Sequence, residues 1–152
     1  MEIYEYMSKD KIMLDMISST KEEAIKELAE CFKTSKEISD FNTFLSDVFV
    51  RESVQTTGIG HEVAIPHART DTVNDFIIAF GRSKDGIDFD SPDAKPVKLI
   101  FLMGTPNKKN LSQYLKALGH LSRILNKEDF RNKLLSATSA DEVINEFRQV
   151  VL

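Results

Sequence analysis

The chain of 152 residues contains no tryptophan, one cysteine, four prolines and six glycines. A solitary Cys31 excludes an internal disulfide framework and agrees with a reducing compartment. No apolar run approaches the roughly 20 residues that a helix needs to cross a bilayer. Positive charge is also short, with 20 Lys and Arg against 24 Asp and Glu for a formal net charge of -4. With no basic block, nucleic acid is a poor main partner and a basic protein surface a better one. The opening "MEIYEYMSKDK" carries acids where a signal or transit peptide carries basic residues. These absences predict a soluble, cytoplasmic protein, and 41% hydrophobic residues over this length suffice for the core of one globular domain.

What is present alternates between two periods. "SSTKEEAIKELAECF" opens with two overlapping capping boxes, Ser19 with Glu22 and Thr20 with Glu23, and then sets Ile25, Leu28, Ala29 and Phe32 on one helical face. Cys31 falls between those core positions, which assigns it to packing rather than redox chemistry. "DFNTFLSDVFVRES" repeats the pattern, with Asp40 as N-cap, Phe41, Phe44, Leu45, Val48 and Phe49 as the apolar stripe, and Arg51 and Glu52 at its end. "DFIIAFGRS" and "PVKLIFLMG" read as buried strands. The turn-rich "KDGIDFDSPDAKP" between them predicts a tight hairpin-like excursion. "NLSQYLKALGHLSRIL" returns to helical spacing through Leu111, Leu115, Leu118 and Leu125, and "EDFRNKLLSA" and "SADEVINEFRQVVL" predict two more helices. Helices scattered among strands predict an α/β domain whose sheet is covered on both faces, with function in a loop at a strand end.

The scarce residues gather in one place. "TTGIGHEVAIPHART", Thr56 to Thr70, holds two of the glycines, a proline and two of the three histidines. Gly58 and Gly60 permit positive φ and close approach of a ligand, and Pro66 biases Ile65 toward an extended shape, so that His67 stands on a stiff peptide. Uncovered N–H groups beside glycines suit an anion, and Arg51 and Arg69 can donate to the same one. A nucleophilic or acid–base histidine beside an anion site is the functional reading; a structural or merely exposed histidine is its rival. His61 and His67 lack a third ligand for zinc. Thr57 serves either as a hydroxyl donor to phosphate or as a turn former, and Arg69 either lines the site or is simply exposed.

The same residues resemble the active-site segment of the fructose/mannitol-type IIA domains of the phosphoenolpyruvate-dependent sugar phosphotransferase system, whose pattern is close to T-G-I-G-x-G-x-A-I-P-H. The likeness extends through "LDMISSTKEEAIKELAE", "VRES", "LIFLMGTP" and "LSRILNKEDFRNKLLSATSADEVINEF". It implies a single domain over residues 1–152 with a mannitol IIA-like fold, a mixed β-sheet flanked by helices on both faces. It implies that His67 takes a phosphoryl group from the phosphocarrier protein HPr, holds it as phosphohistidine, and passes it to a cysteine of a IIB component of a sugar permease. Arg51, Thr57, Gly58, Gly60, Arg69 and Tyr114 become candidates to bind or support the phosphate, with no metal or organic cofactor and no membrane insertion. The chemistry agrees, because an imidazole titrating near about 6.5 in water is a competent nucleophile near neutral pH, and transfer through a loose transition state asks mainly for alignment and charge. A carbonyl or side-chain oxygen should hold the other ring nitrogen, and an apolar patch with a polar, acidic-leaning rim should surround His67.

Two departures from the pattern stand out. Glu62 occupies a position that is usually small. Mannitol-type members also carry a second histidine where this chain has Tyr114; His120 lies six residues on and faces about 240° away. A sugar-transport component and a regulatory relay of the nitrogen-related IIA type both follow from this motif, whereas a hydrolase lacks a persuasive nucleophile and base.

Overall fold

The computed structural model describes residues 2–150. Its sheet has six strands, β1 (Ile12–Met13), β2 (Gly58–Gly60), β3 (Val63–Ala64), β4 (His67–Arg69), β5 (Ile77–Ile87) and β6 (Val97–Thr105). The order is β1-β5-β6-β3-β2, with β4 also paired to β6. The sheet is mixed: β5 and β6 form an antiparallel hairpin, β3 and β4 run parallel to β6, and β1 runs parallel to β5. β5 continues through Ile87, so the excursion between the two long strands is shorter than its turn-rich composition predicts. β1 carries no signal of its own in the sequence, since two residues are too few to show a period.

Both central strands alternate apolar side chains to two sides. Leu99, Phe101 and Met103 join one core with Phe76, Ile78 and Phe80, while Ile100 and Leu102 join a second with Ile77 and Ala79. α1 (Lys21–Ala29) and α2 (Phe41–Val54) cover the second core. α3 (Leu111–Leu125), α4 (Glu128–Ser136) and α5 (Ala140–Arg148) cover the first, joined by Ile3 and Met7 of the amino-terminal segment. Aromatic rings tie that layer together: Phe80 to Phe101 at 4.9 Å, Phe101 to Phe147 at 5.9 Å and Phe147 to Phe130 at 4.9 Å between centroids.

The helix starts follow the sequence closely. Of the two overlapping boxes Thr20 is the cap in use, its hydroxyl accepting from Glu23 N at 3.2 Å, and Asp40 Oδ1 accepts from Thr43 N at 3.1 Å. The face of α3 differs. Tyr114, Ala117, Leu121, Ile124 and Leu125 are its buried side, while Leu111 and Leu115 are 40% and 57% exposed. Spacing places Leu111, Leu115 and Leu118 on a common flank, but it cannot tell which side meets the sheet, and the aromatic Tyr114 supplies the competing anchor. α5 ends at Arg148 and does not carry the helical pattern of "SADEVINEFRQVVL" to its end; Val151 and Leu152 lie outside the described residues.

Among the described residues no helix is long and apolar enough to cross a membrane.

Candidate active site

The segment after α2 folds into the sheet rather than looping over it. β2 turns into β3 through three consecutive residues with positive φ, Gly60 at +91°, His61 at +56° and Glu62 at +67°. Glu62 thus occupies a left-handed position that costs a residue with a Cβ roughly 1–2 kcal/mol, which is the physical reason for glycine there in the pattern above. Its contacts offset the strain: its carbonyl accepts from Lys98 N at 2.8 Å and Leu99 N at 3.0 Å, and its carboxylate lies 3.4 Å from Lys98 Nζ. Gly58 is needed for a different reason. A Cβ there would sit 2.2 Å from Ser91 Oγ and 3.3 Å from Phe89 Cβ, so the close approach it permits is to the β5–β6 connection.

Asp93 braces the turn, its carboxylate accepting from His61 N at 2.9 Å and from Lys95 N at 3.1 Å. The His61 bond, followed by that from Lys95, holds this carboxyl below its ordinary range. A depressed folded value means that the contribution is complete above the ordinary aspartate value of about 3.9 and disappears as the pH falls through the lower folded value. The His61 amide resonance should therefore move in acid with a midpoint below about 3.9, and Asp93→Asn should remove that step.

His67 opens β4, opposite Met103 of β6, two residues before that strand ends at Thr105. Side chains alternate along β4: Ala68 enters the core under α1 and α2, while His67 and Arg69 lie on the side of α3 to α5. The backbone on either side is fixed, Ile65 N to Thr57 O and Met103 N to Pro66 O, both at 3.0 Å. The half-buried imidazole lies with Nδ1 2.8 Å from Ile65 O. A carbonyl only accepts, so Nδ1 bears a proton, and in the neutral ring Nε2 is the nitrogen with the lone pair. The chain therefore presents a ring nitrogen whose tautomer is chosen by a backbone oxygen two residues away.

The other candidates are distributed around it. Thr57 is 3% exposed, and its hydroxyl donates to Glu52 Oε1 at 2.6 Å while its N–H donates to Glu52 Oε2 at 2.8 Å. Arg51, in the last turn of α2, donates from Nη1 to Gln55 O at 2.8 Å. Because the chain runs antiparallel to β3 from its Thr57–Ile65 bond, Gln55 leads toward the level of His67. Arg69 is exposed, and the rim beyond it carries both signs, with Asp71 3.9 Å from Lys108.

Tyr114, only 3% exposed, packs into the apolar cluster that includes Met103 and Ile65, stacks on Phe76 at 5.8 Å, and donates its hydroxyl to Asp75 Oδ1 at 3.4 Å. Burial, assisted by the charge of Asp75 and opposed by a bond with Asn110, raises its phenol above the ordinary value. His120 is elsewhere, in a cleft with Ile3, Tyr4 and Phe147. Among the described residues no three His, Cys, Asp or Glu side chains come together as metal ligands.

Glu52 is the buried neighbour of Thr57 that sequence reasoning did not single out. Phe44, Val48 and Glu52 are spaced four apart, which puts a carboxylate on the apolar stripe of α2; that charge on the buried side was the available signal.

Comparison with known proteins shows the family and the fold. Residues 5–150 match the model of the family "Phosphoenolpyruvate-dependent sugar phosphotransferase system, EIIA 2". The fructose-specific EIIA component of Haloferax volcanii is 40% identical over 140 residues, covering 92% of this chain and 90% of that one. The fructose-specific EIIABC component of Bacillus subtilis is 38% identical over 149 residues; the match takes in 98% of this chain but 23% of that protein. Among solved structures, the nitrogen regulatory protein IIA-Ntr of Neisseria meningitidis superimposes with a TM-score of 0.89 at 30% identity, covering 95% of this chain and 98% of that one. The Escherichia coli complex of enzyme IIA mannitol with phosphorylated enzyme IIB mannitol contains the same fold, at a TM-score of 0.81 and 21% identity over 95% of this chain and 98% of that one. The chain belongs to the EIIA 2 family of the phosphoenolpyruvate-dependent sugar phosphotransferase system.

Proposed function

We propose that His67 is the phosphoryl carrier of this protein, taking the group from phospho-HPr and passing it to a cysteine of a IIB component in the cytoplasm, in support of uptake of fructose, mannitol or a related sugar. The observation that carries the reading is the bond from Nδ1 to Ile65 O, which makes Nε2 the nitrogen with the lone pair in the neutral, half-exposed ring. As Nε2 bonds to phosphorus, the phosphorus–nitrogen bond of the donor histidine breaks and its electron pair stays on the donor ring. The ring of His67 then carries positive charge, which the carbonyl of Ile65 stabilises through Nδ1–H. In the second step the cysteine sulfur replaces Nε2 at phosphorus.

Arg51 and Arg69 supply charge to the equatorial oxygens, Gly58 lets the segment pack against the β5–β6 connection, Gly60 opens the turn into β3, and Thr57 and Tyr114 hold the walls. The exposed Leu111 and Leu115 supply apolar surface to partner proteins, and Arg69, Asp71 and Lys108 supply charge of both signs. The transport reading is favoured by 40% identity to a fructose-specific EIIA component, set against 30% to IIA-Ntr. The latter supports the second reading, a regulatory relay whose phosphorylation state controls other proteins.

Incubation with phosphoenolpyruvate, enzyme I and HPr should add one acid-labile, base-stable phosphate. Adding a fructose-type IIB domain should then discharge it; a phosphorylated chain that no sugar-type IIB discharges would favour the regulatory relay. Arg51 provides a finer test. Arg51→Ala should keep the fold but remove roughly 2–4 kcal/mol of transition-state stabilisation, as loss of one oxyanion donor does. Arg51→Lys should recover part of it, since an ammonium does not reproduce the planar fork. An unchanged rate of transfer from phospho-HPr would assign Arg51 to the end of α2 alone.

A further inference from the structure

Glu52 is the charged residue among the buried polar side chains of the described residues, at 7% exposure. Its oxygens are fully engaged: Oε1 accepts the Thr57 hydroxyl, and Oε2 accepts the Thr57 N–H and, at 3.1 Å, Lys21 Nζ. A buried carboxylate needs such partners, and losing them exposes its full desolvation cost. Lys21 lies partly in solvent, so the two bonds from Thr57 define the geometry of this carboxylate.

These bonds lie at one end of a continuous path. Thr57 is held by its N–H and hydroxyl, and its carbonyl accepts from Ile65 N at 3.0 Å. The carbonyl of Ile65 in turn accepts from His67 Nδ1 at 2.8 Å. Pro66 restricts Ile65 to an extended shape, and Pro66 O is fixed by Met103 N. The aim of the Ile65 carbonyl is thus set from two sides, by the core strand β6 and by Thr57. The core strand would remain if Glu52 were lost; Thr57 would lose the anchor of its N–H and hydroxyl.

Building on the reading of His67 above, we propose that Glu52 is a positioning residue for that histidine: by pinning Thr57 it aims the Ile65 carbonyl that holds Nδ1–H, and so keeps the Nε2 lone pair directed at the incoming phosphorus. Glu52 touches no reacting atom. It selects the tautomer and the orientation of the ring that does, from the opposite side of the sheet.

The test uses the full chain and three variants, Glu52→Ala, Glu52→Gln and Thr57→Val, with two readouts. Imidazole nitrogen NMR of the unphosphorylated protein, assigned against His67→Ala, reports the tautomer of His67. The rate of transfer from phospho-HPr reports its orientation. Glu52→Ala should turn a single Nδ1–H form into a mixture with the Nε2–H form and slow transfer on the order of 100-fold, as misplacement of a reacting group by about 1 Å does. Glu52→Gln, which retains an acceptor for the Thr57 N–H, and Thr57→Val, which retains the N–H itself, should move both readouts in the same direction by less. If Glu52→Ala does not fold, those two variants decide on the same readouts. An unchanged tautomer in every folded variant, whether or not transfer slows, would overturn the proposal, because a purely structural role costs rate without touching the ring. The two readings fail separately: a wild type that takes no phosphoryl group fails on His67, and a phosphorylated wild type beside variants with unaltered tautomer fails on Glu52.

Discussion

His67→Ala should take up no phosphoryl group at all from phospho-HPr, while His61→Ala and His120→Ala label as fully as the parent. The effect is all-or-none because the proposed role of the residue is that of acceptor and not of one contributor among several. Alanine has no lone pair to form the new bond, and the neighbouring candidates cannot replace it. His61 is anchored in the β2–β3 turn, held to Asp93 by its backbone, and His120 lies in a separate cleft with Ile3, Tyr4 and Phe147. The fold should survive, since the side-chain bond lost is the one to Ile65 O, a contribution of about 0.5–1.5 kcal/mol. His67→Asn sharpens the test: its amide nitrogen stands where Nδ1 does and can still donate to Ile65 O, yet it offers no nucleophile. Phosphate counting with circular dichroism on the same samples checks both. Label persisting in His67→Ala would end the assignment.

Arg82→Ala should destabilise the fold by about 3 kcal/mol, or roughly 10 °C in melting temperature at 2–4 °C per kcal/mol for a domain of this size. Arg82 lies on β5 opposite Leu99. Its Nε donates to Leu14 O at 3.1 Å, and Nη1 lies 2.7–3.1 Å from the carbonyls of Leu134, Leu135 and Ala137. α4 ends at Ser136 with Ala137 in an extended conformation and no glycine cap, so its last carbonyls are left for another group to satisfy. A guanidinium does this from the sheet and ties α4 and the segment leading from β1 to one strand. Hydrogen bonds to a charged group contribute about 1.5–3 kcal/mol each, and bonds sharing a donor do not add. Arg82→Lys should restore less than half, because one ammonium does not reach both Leu14 O and the end of α4. Urea titration gives the free energy, and hydrogen exchange should show α4 opening first. A shift below about 2 °C would mean that water replaces the guanidinium at the end of α4 with little loss.

Much of the candidate site was legible in the order of the residues. The stiffness expected of the peptide at His67 is present, and it resides in a short strand rather than a loop: β4 is too brief for its period to show, and Pro66 disguises its start. Glu62 read as a departure from a usually small residue, and its positive φ makes that departure chiefly one of backbone conformation. Gly58 read as room for a ligand, and the room is taken by Ser91 and Phe89 from a connection more than thirty residues away. Tyr114 was picked out as a position, but its partner Asp75 was not, since only folding brings them to 3.4 Å.

Local sequence determined the elements whose causes are local. Thr20 and Asp40 start their helices with their own side chains, the stripes of α1 and α2 follow from four-residue spacing, and the apolar runs of β5 and β6 demand burial on both sides. The spacing of glycine, proline and histidine likewise marked His67. Tertiary structure alone decided which flank of α3 is buried, because Leu111 and Tyr114 are each plausible anchors until the sheet is placed beneath one of them. It alone decided that Arg82 closes α4, because a hydrogen bond between a side chain and distant backbone leaves no period and no spacing in the sequence. His67 stood out as a candidate because the glycine, proline and histidine pattern that marks it is local; the proposed path from Glu52 did not, because it runs through a helix on the opposite face of the sheet.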